Sequence, residues 1–163
     1  MTSGARRYQE GCLAAHALDL IGDRWALLVL RELMLGPRRF GALRAGLPGI
    51  SANVLTQRLA GLEAAGLLRR EDGAYGLTAA GAATWPVIRA LCQWGARQPG
   101  HDPRLFISPT ALMLSMRAIC ARDRAGRHRV QMRAGGEGFQ IETAPGAFRV
   151  WRGEGAADLV FSG

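Results

Sequence analysis

One stretch of the sequence sets small and amide side chains at helical spacing opposite a stripe of leucines. Leu55, Leu59 and Leu62 recur on one face of a predicted helix. The opposite face carries only small or polar side chains: Ser51, Ala52, Asn53, Thr56, Gln57 and Ala60. Asn and Gln hydrogen-bond the edge of adenine, and Thr or Ala contacts the thymine methyl group. The pattern therefore indicates a helix that reads base edges with one face while the other is buried.

Arginines surround this segment in the sequence and are candidates for phosphate contacts, which fix the position of a protein on DNA. They lie before and within a short preceding helix, beside the polar face, and in a following hairpin: Arg38, Arg39, Arg44, Arg58, Arg69 and Arg70. Any one of them is more commonly a residue that keeps a surface solvated. The ordered set, taken together with the polar helix face, favours DNA binding.

The other residues that perform chemistry show no catalytic or metal-binding pattern. The histidines and cysteines are widely spaced and include no Cys-x-x-Cys pair: His16, His101, His128, Cys12, Cys92 and Cys120. We find no glycine-rich phosphate loop, nucleophile elbow or carboxylate pair. The sequence thus predicts neither a metal nor a cofactor, and it favours a binding protein over an enzyme.

Composition agrees with a folded, basic protein. The chain has 163 residues, 48% of them hydrophobic, and a formal net charge of +8. All 21 basic residues are arginines, and such a balance modestly favours a polyanionic partner. The longest apolar run, Trp25–Leu30, is too short to cross a bilayer, and the first ten residues do not resemble a signal peptide. We therefore expect a cytoplasmic protein without a membrane partner.

The elements that must position the polar helix follow a definite order. Hydrophobic spacing, caps and turn residues predict helices at 13–21, 23–33, 39–45 and 51–65, a hairpin of strands 67–70 and 74–78, and a helix at 79–97. Asp23, Ser51 and Thr78 are the predicted N-caps, and Pro86 is expected to kink the last helix. This order is typical of a winged helix-turn-helix domain, which we place at residues 10–97.

A second unit is predicted after a linker at residues 98–104. Ser108 and Pro109 begin a helix that continues to Ile119. Strands are predicted near 128–134, 138–144, 147–152 and 157–162. We therefore expect a small α+β domain with an antiparallel sheet at residues 105–163, and an α+β fold class for the whole chain.

The N-terminal unit resembles the HxlR family of bacterial regulators, which are related to the MarR type. The residues that carry the resemblance lie between 12 and 95: Cys12, 22–25, 30–33, 36–40, 47–51, 55–59, 66–67, 77–78 and 94–95. The resemblance implies a homodimer formed through the N-terminal and long C-terminal helices, with the helix beginning at Ser51 as the recognition helix. Leu13 stands where the family usually has proline, and the wing at 69–78 is shorter than usual and lacks the family's proline.

Two features leave alternatives open. In several family relatives the cysteine at the position of Cys12 senses oxidants. Arg6, Arg7 and His16 are near enough to Cys12 in sequence to favour its thiolate form. The alternative is that Cys12 is a small buried hydrophobic residue.

The second unit weakly resembles a sterol-carrier-protein-like domain through residues 108–110 and 155–160. That likeness implies a small apolar effector between helix and sheet; the alternative is a platform that supports the dimer without a ligand.

Together these features predict a homodimeric regulator that binds an imperfect palindrome in double-stranded DNA. We expect repression, relieved by thiol chemistry or by a small molecule. The alternative is a ligand-carrier or protein-interaction module that uses a winged helix without binding DNA.

Overall fold

The computed structural model describes residues 8–120 and 126–163. Its helices are α1 (Leu13–Ile21), α2 (Ala26–Leu33), α3 (Phe40–Ala45), α4 (Ala52–Ala64), α5 (Ala79–Ala82), α6 (Trp85–Gly95) and α7 (Pro109–Ile119). Its strands are β1 (Arg38–Arg39), β2 (Leu68–Glu71), β3 (Ala74–Leu77), β4 (His128–Ala134), β5 (Glu137–Ala144), β6 (Ala147–Arg152) and β7 (Leu159–Ser162). The α+β fold class agrees with the sequence analysis, and the order of elements differs from it at β1 and at α5 and α6.

The N-terminal half is built around one hydrophobic core beneath α4. Leu55, Leu59 and Leu62 are buried there against α2 and α3, and each fully buried leucine contributes about 1.5–3 kcal/mol relative to an exposed one. Ser51 is the N-cap of α4, and its hydroxyl accepts a hydrogen bond from the amide of Val54 at 3.3 Å. The predicted leucine stripe and cap of this helix are thus confirmed.

The wing is a three-stranded sheet in the order β1-β3-β2. Asp72 and Gly73 both have positive φ, of 49° and 75°, as a tight hairpin turn requires. The sequence analysis missed β1, in which Arg38 pairs with Tyr75 and Arg39 pairs with Ala74. This third strand ties the start of α3 to the wing.

Two predicted helix boundaries are wrong. The helix expected at 79–97 is two helices, because the chain breaks at Ala83 and Thr84 and Pro86 lies in the first turn of α6. Proline fits there, where no intrahelical donor is needed, so it starts a helix instead of kinking one. Likewise α2 begins at Ala26, and Asp23 accepts a hydrogen bond from the amide of Trp25 in the preceding turn.

The C-terminal half packs α7 on one face of a four-stranded sheet in the order β6-β5-β4-β7. Ser108 caps α7 as predicted, and its hydroxyl accepts from the amide of Ala111. Strands β4, β5 and β6 are antiparallel, as expected, but β7 pairs with β4 in parallel. Segment 153–158 therefore crosses the outer face of the sheet, where its backbone bonds the buried side chains of Gln131 and Gln140.

The predicted apolar pocket between helix and sheet is not found in the described residues. That space is filled by packed side chains, among them Met113, Leu114, Phe139 and Ile141, which are at most 3% exposed. Large residues from both layers interdigitate here as in an ordinary protein core. An open groove of about 540 Å³ lies elsewhere, at one end of the sheet, and its lining includes Arg129, Glu142 and Arg149.

Candidate nucleic-acid interface

The polar face of α4 is open to solvent. Asn53, Thr56 and Gln57 are exposed, and the amides of Asn53 and Gln57 make no hydrogen bond with any described residue. Thr56 donates its hydroxyl proton to the carbonyl of Ala52 at 2.9 Å, so its methyl group is the part left for an external contact. Ala52 itself is partly buried. The face thus presents two free amides on a capped helix.

Two of the predicted arginines, one at each end of α3, are exposed to solvent. Arg39 is the N-cap residue of α3, and Arg44 lies in its last turn; both are exposed. A guanidinium nitrogen of Arg39 lies 3.8 Å from the point that a Cβ on Gly73 would occupy, so the side chain reaches the wing turn. Neither arginine has an ion-pair partner among the described residues. Both are available to phosphates.

The wing arginines are exposed but have local partners. Arg69 forms an ion pair with Glu71 at 3.1 Å, and both side chains are more than half exposed. Arg70 stacks over the ring of Tyr75 at 5.5 Å. Exposed pairs of this kind are weak, so a phosphate can compete for either guanidinium.

Arg38 and Arg58 are paired with carboxylates of this chain and are poorly placed to contact a phosphate. The side chain of Arg38 is 9% exposed and is paired with Glu32 and Glu137. Arg58 is paired with Asp23 at 2.9 Å and holds α4 against the turn before α2. Neither pairing was predicted from the sequence, since Glu137 and Asp23 lie far along the chain from Arg38 and Arg58. We remove Arg38 from the candidate contacts and keep Arg58 only as a positioning residue for α4.

We call the remaining exposed candidates the recognition surface: Arg39, Arg44, Ser51, Asn53, Thr56, Gln57, Arg69 and Arg70. Ala52, also a candidate, is left out because it is partly buried. The surface combines amides with cations. Such a surface satisfies the two needs of DNA recognition, base-edge hydrogen bonding and phosphate neutralisation.

Cys12 lies apart from this surface, at the N-cap of α1, and its thiol is exposed. Backbone amides of Ala15 and, to a lesser degree, Ala14 lower the pKa of the thiol below its ordinary value. His16 is exposed one helical turn away, whereas Arg6 and Arg7 lie outside the described residues. The alternative that Cys12 is a buried hydrophobic residue of this chain is therefore wrong.

The other two cysteines occupy partly buried positions. Cys92 packs against the N-terminal core, and Cys120 packs against the C-terminal core. Burial raises the pKa of the Cys92 thiol, against the smaller opposing effect of Arg31. No group of histidine, cysteine and carboxylate side chains able to hold a metal is found in the described residues.

Comparison with known proteins identifies the N-terminal half. The model of the HxlR-like helix-turn-helix family matches residues 20–102, which contain most of the recognition surface's supporting elements and all of its residues. The chain belongs to this family. The match ends before α7, and the comparisons do not support the sterol-carrier-like interpretation of residues 105–163.

Individual relatives agree with the family match. An uncharacterised helix-turn-helix transcriptional regulator of Synechocystis is 40% identical over 92 residues, which is 52% of this chain and 68% of the relative. One from Mycobacterium bovis is 43% identical over 93 residues, which is 53% of this chain and 58% of the relative. Among solved structures, the oxidised form of the redox regulator HypR is 29% identical with a TM-score of 0.52 and covers 55% of this chain and 100% of HypR. The first two are named as transcriptional regulators and the third as a redox regulator, and none of the three is named as an enzyme.

No helix in the described residues is long and apolar enough to cross a membrane.

Proposed function

We propose that this chain is a sequence-specific transcriptional regulator that binds an imperfect palindromic operator as a homodimer in the cytoplasm. The observation that carries the proposal is the pair of exposed amides on α4, Asn53 and Gln57, together with the exposed guanidinium groups of Arg39 and Arg44. None of these four groups has a partner among the described residues. A helix of this kind enters the major groove, where amides read adenine and arginines hold the backbone. Membership of a helix-turn-helix family supports it.

Exposed apolar side chains on two helices support the homodimer. On α1 they are Leu13, Leu18 and Leu20; on α6 they are Val87, Leu91 and Trp94, with Trp94 60% exposed. Apolar helix faces of this extent favour burial against a partner. Pairing them across a twofold axis would place the two recognition helices at half-sites about 10 base pairs apart. Binding over a promoter would then repress by blocking access.

The signal that we propose for release of DNA is thiol chemistry at Cys12. Its exposure and lowered pKa favour the reactive thiolate, and HypR, which covers 55% of this chain, is named a redox regulator. Cys12 begins α1, one of the two proposed dimer helices, so its modification would change the spacing of the recognition helices. The filled interior of the C-terminal half favours its role as a platform over that of a carrier of an apolar effector.

The test is a titration of the purified protein on its own upstream intergenic DNA, at two salt concentrations and with or without a thiol oxidant. We expect selective binding that weakens steeply with salt, because each neutralised phosphate releases counterions. Binding should also weaken on oxidation, and Cys12→Ser should abolish that response. A Cys12→Ser protein that still responds to the oxidant would exclude the thiol as the sensor. Absence of selective binding would favour the protein-interaction or ligand-carrier alternative.

A further inference from the structure

The loop between α2 and α3, residues 34–39, belongs to the N-terminal half but is held by the C-terminal half. The side chain of Leu35 is buried in the C-terminal core with Met113, Leu114 and Phe139. Its backbone carbonyl accepts a hydrogen bond from Arg152 of β6 at 3.1 Å. The loop is thus fixed to the other half of the molecule by both a side chain and a carbonyl.

A polar cluster, which we call the junction, extends this attachment: Glu32, Arg38, Ser108, Thr110, Glu137 and Arg152. Glu32, Ser108 and Thr110 are buried, whereas Glu137 and Arg152 are about a quarter exposed. Glu137 of β5 accepts hydrogen bonds from both Arg38 and Arg152, the latter at 2.7 Å. The hydroxyl of Thr110 accepts from Arg38 at 3.2 Å. On the N-terminal side, the fully buried Glu32 accepts from Arg38 at 3.3 Å and from Ser108 at 2.6 Å.

Arg38 connects the junction to the recognition surface. It forms β1 with Arg39, and successive side chains of a strand point to opposite faces. The inward position of Arg38 in the junction therefore directs Arg39 outward, where it is exposed. Arg39 is also the N-cap residue of α3 and pairs with Ala74 of the wing.

We propose that Glu137 and Arg152 of the C-terminal half are positioning residues for DNA binding: by holding the α2–α3 loop through Arg38 and the Leu35 carbonyl, they place Arg39 against the DNA backbone. The inference relies on the proposed function. The C-terminal half lies beyond the family match. According to this inference it raises the affinity for DNA by positioning Arg39, although it does not contact the DNA itself. Buried ionic groups serve in this way when they select one arrangement among several that are similarly stable.

The test is a double-mutant cycle on the operator selected by the wild-type protein. Glu137→Gln removes the charge that holds Arg38 and Arg152 but keeps the shape of the side chain. It is made both in the wild-type chain and together with Arg39→Ala. The matched control is Glu154→Gln: Glu154 also pairs with an arginine, Arg133 at 2.9 Å, but within the C-terminal half.

We expect Glu137→Gln alone to weaken operator binding about fivefold or more, as is typical of coupled sites. The slope of log affinity against log salt should become shallower by about 0.9, the value for one lost phosphate contact. Once Arg39 is alanine, the same substitution should change affinity by less than about twofold, the limit for independent sites. Glu154→Gln should remain below that limit in both backgrounds. Loss of stability alone would not change the salt slope of the folded protein.

Equal losses with and without Arg39, or an unchanged salt slope, would overturn the inference while leaving DNA binding intact. A wild-type protein that selects no operator would overturn the proposed function and this inference with it. Should Glu137→Gln fail to fold, Arg152→Lys takes its place in the cycle, because lysine keeps the charge but loses the planar set of donors that joins Glu137 to the Leu35 carbonyl.

Discussion

At the recognition surface, arginine and amide side chains extend into solvent, and several have no partner in the described residues. At the junction, the side chains of Arg38 and Arg152 are only 9% and 24% exposed, and each guanidinium contacts at least two acceptors. Arg38 and Arg39 are adjacent in sequence but belong to different regions. The environment of an arginine therefore decides whether it can bind a ligand or instead holds the fold together. A buried charge must be paired within the protein, whereas an exposed charge is free to bind phosphate.

The largest effect that we expect is on the free energy of unfolding, at the junction. Glu32→Ala should lower the free energy of unfolding by about 3–5 kcal/mol, because it leaves the buried guanidinium of Arg38 without one of its carboxylates. Equilibrium denaturation measures this loss. The control is Glu63→Ala on the exposed side of α4, which should change stability by less than about 0.5 kcal/mol. Similar losses in the two variants would show that the junction does not depend on its buried acid.

The recognition surface should respond in the opposite way. Gln57→Ala and Asn53→Ala should each cost about 1–3 kcal/mol of binding to the preferred operator and relax the base preference at one position, because an amide contact to a base edge is lost. Unfolding free energy should remain nearly unchanged, since both side chains are exposed. The measurement is a binding titration on the operator and on single-base variants of it.

Glu63→Ala again provides the control, because removing an acid from the same helix alters the affinity for all sequences alike. If Asn53 and Gln57 variants show an unchanged base preference, α4 does not enter the major groove in the way we propose.

Local features of the sequence were sufficient to predict the helix and hairpin that carry the recognition surface. The leucine stripe of α4, its cap at Ser51 and the turn at Asp72 and Gly73 are set by residues a few positions apart, and periodicity and turn chemistry detect them. The helix and strands of the C-terminal half were predicted for the same reason. Only the pairing of β7 with β4, which depends on a crossover, differed.

The junction was not predictable, because its contacts are not local. Arg38 and Glu137 are 99 positions apart in sequence, and no pattern at either residue reveals the other. A weak signal existed at Glu32, which is an acid among the mostly apolar residues of α2. Such a residue, if buried, requires a partner, and Arg31 and Arg38 both supply one.

The smallest predicted effect concerns pH and compares a partly buried pair with an exposed one. Burial opposes ionisation of Glu137, but Arg152 and then Arg38 outweigh it and lower the pKa of this carboxyl below 4.5, its ordinary value. Since the folded state binds this proton less readily than the unfolded state, the stabilisation is present above that value and is lost as pH falls through the folded pKa. Wild-type stability should therefore fall more steeply below about pH 4.5 than that of Glu137→Gln, as measured by denaturation across that range.

Glu154 provides the comparison, because hydrogen bonding and charge from Arg133 also lower its pKa, but in an exposed pair. Salt screens exposed charges more than buried ones. Raising the salt concentration should thus remove the difference in acid-dependent stability between wild type and Glu154→Gln. Most of the corresponding difference between wild type and Glu137→Gln should remain. If salt removes both differences equally, Glu137 is as solvated as a surface residue, and the contrast between the junction and the exposed surface does not hold for this carboxylate.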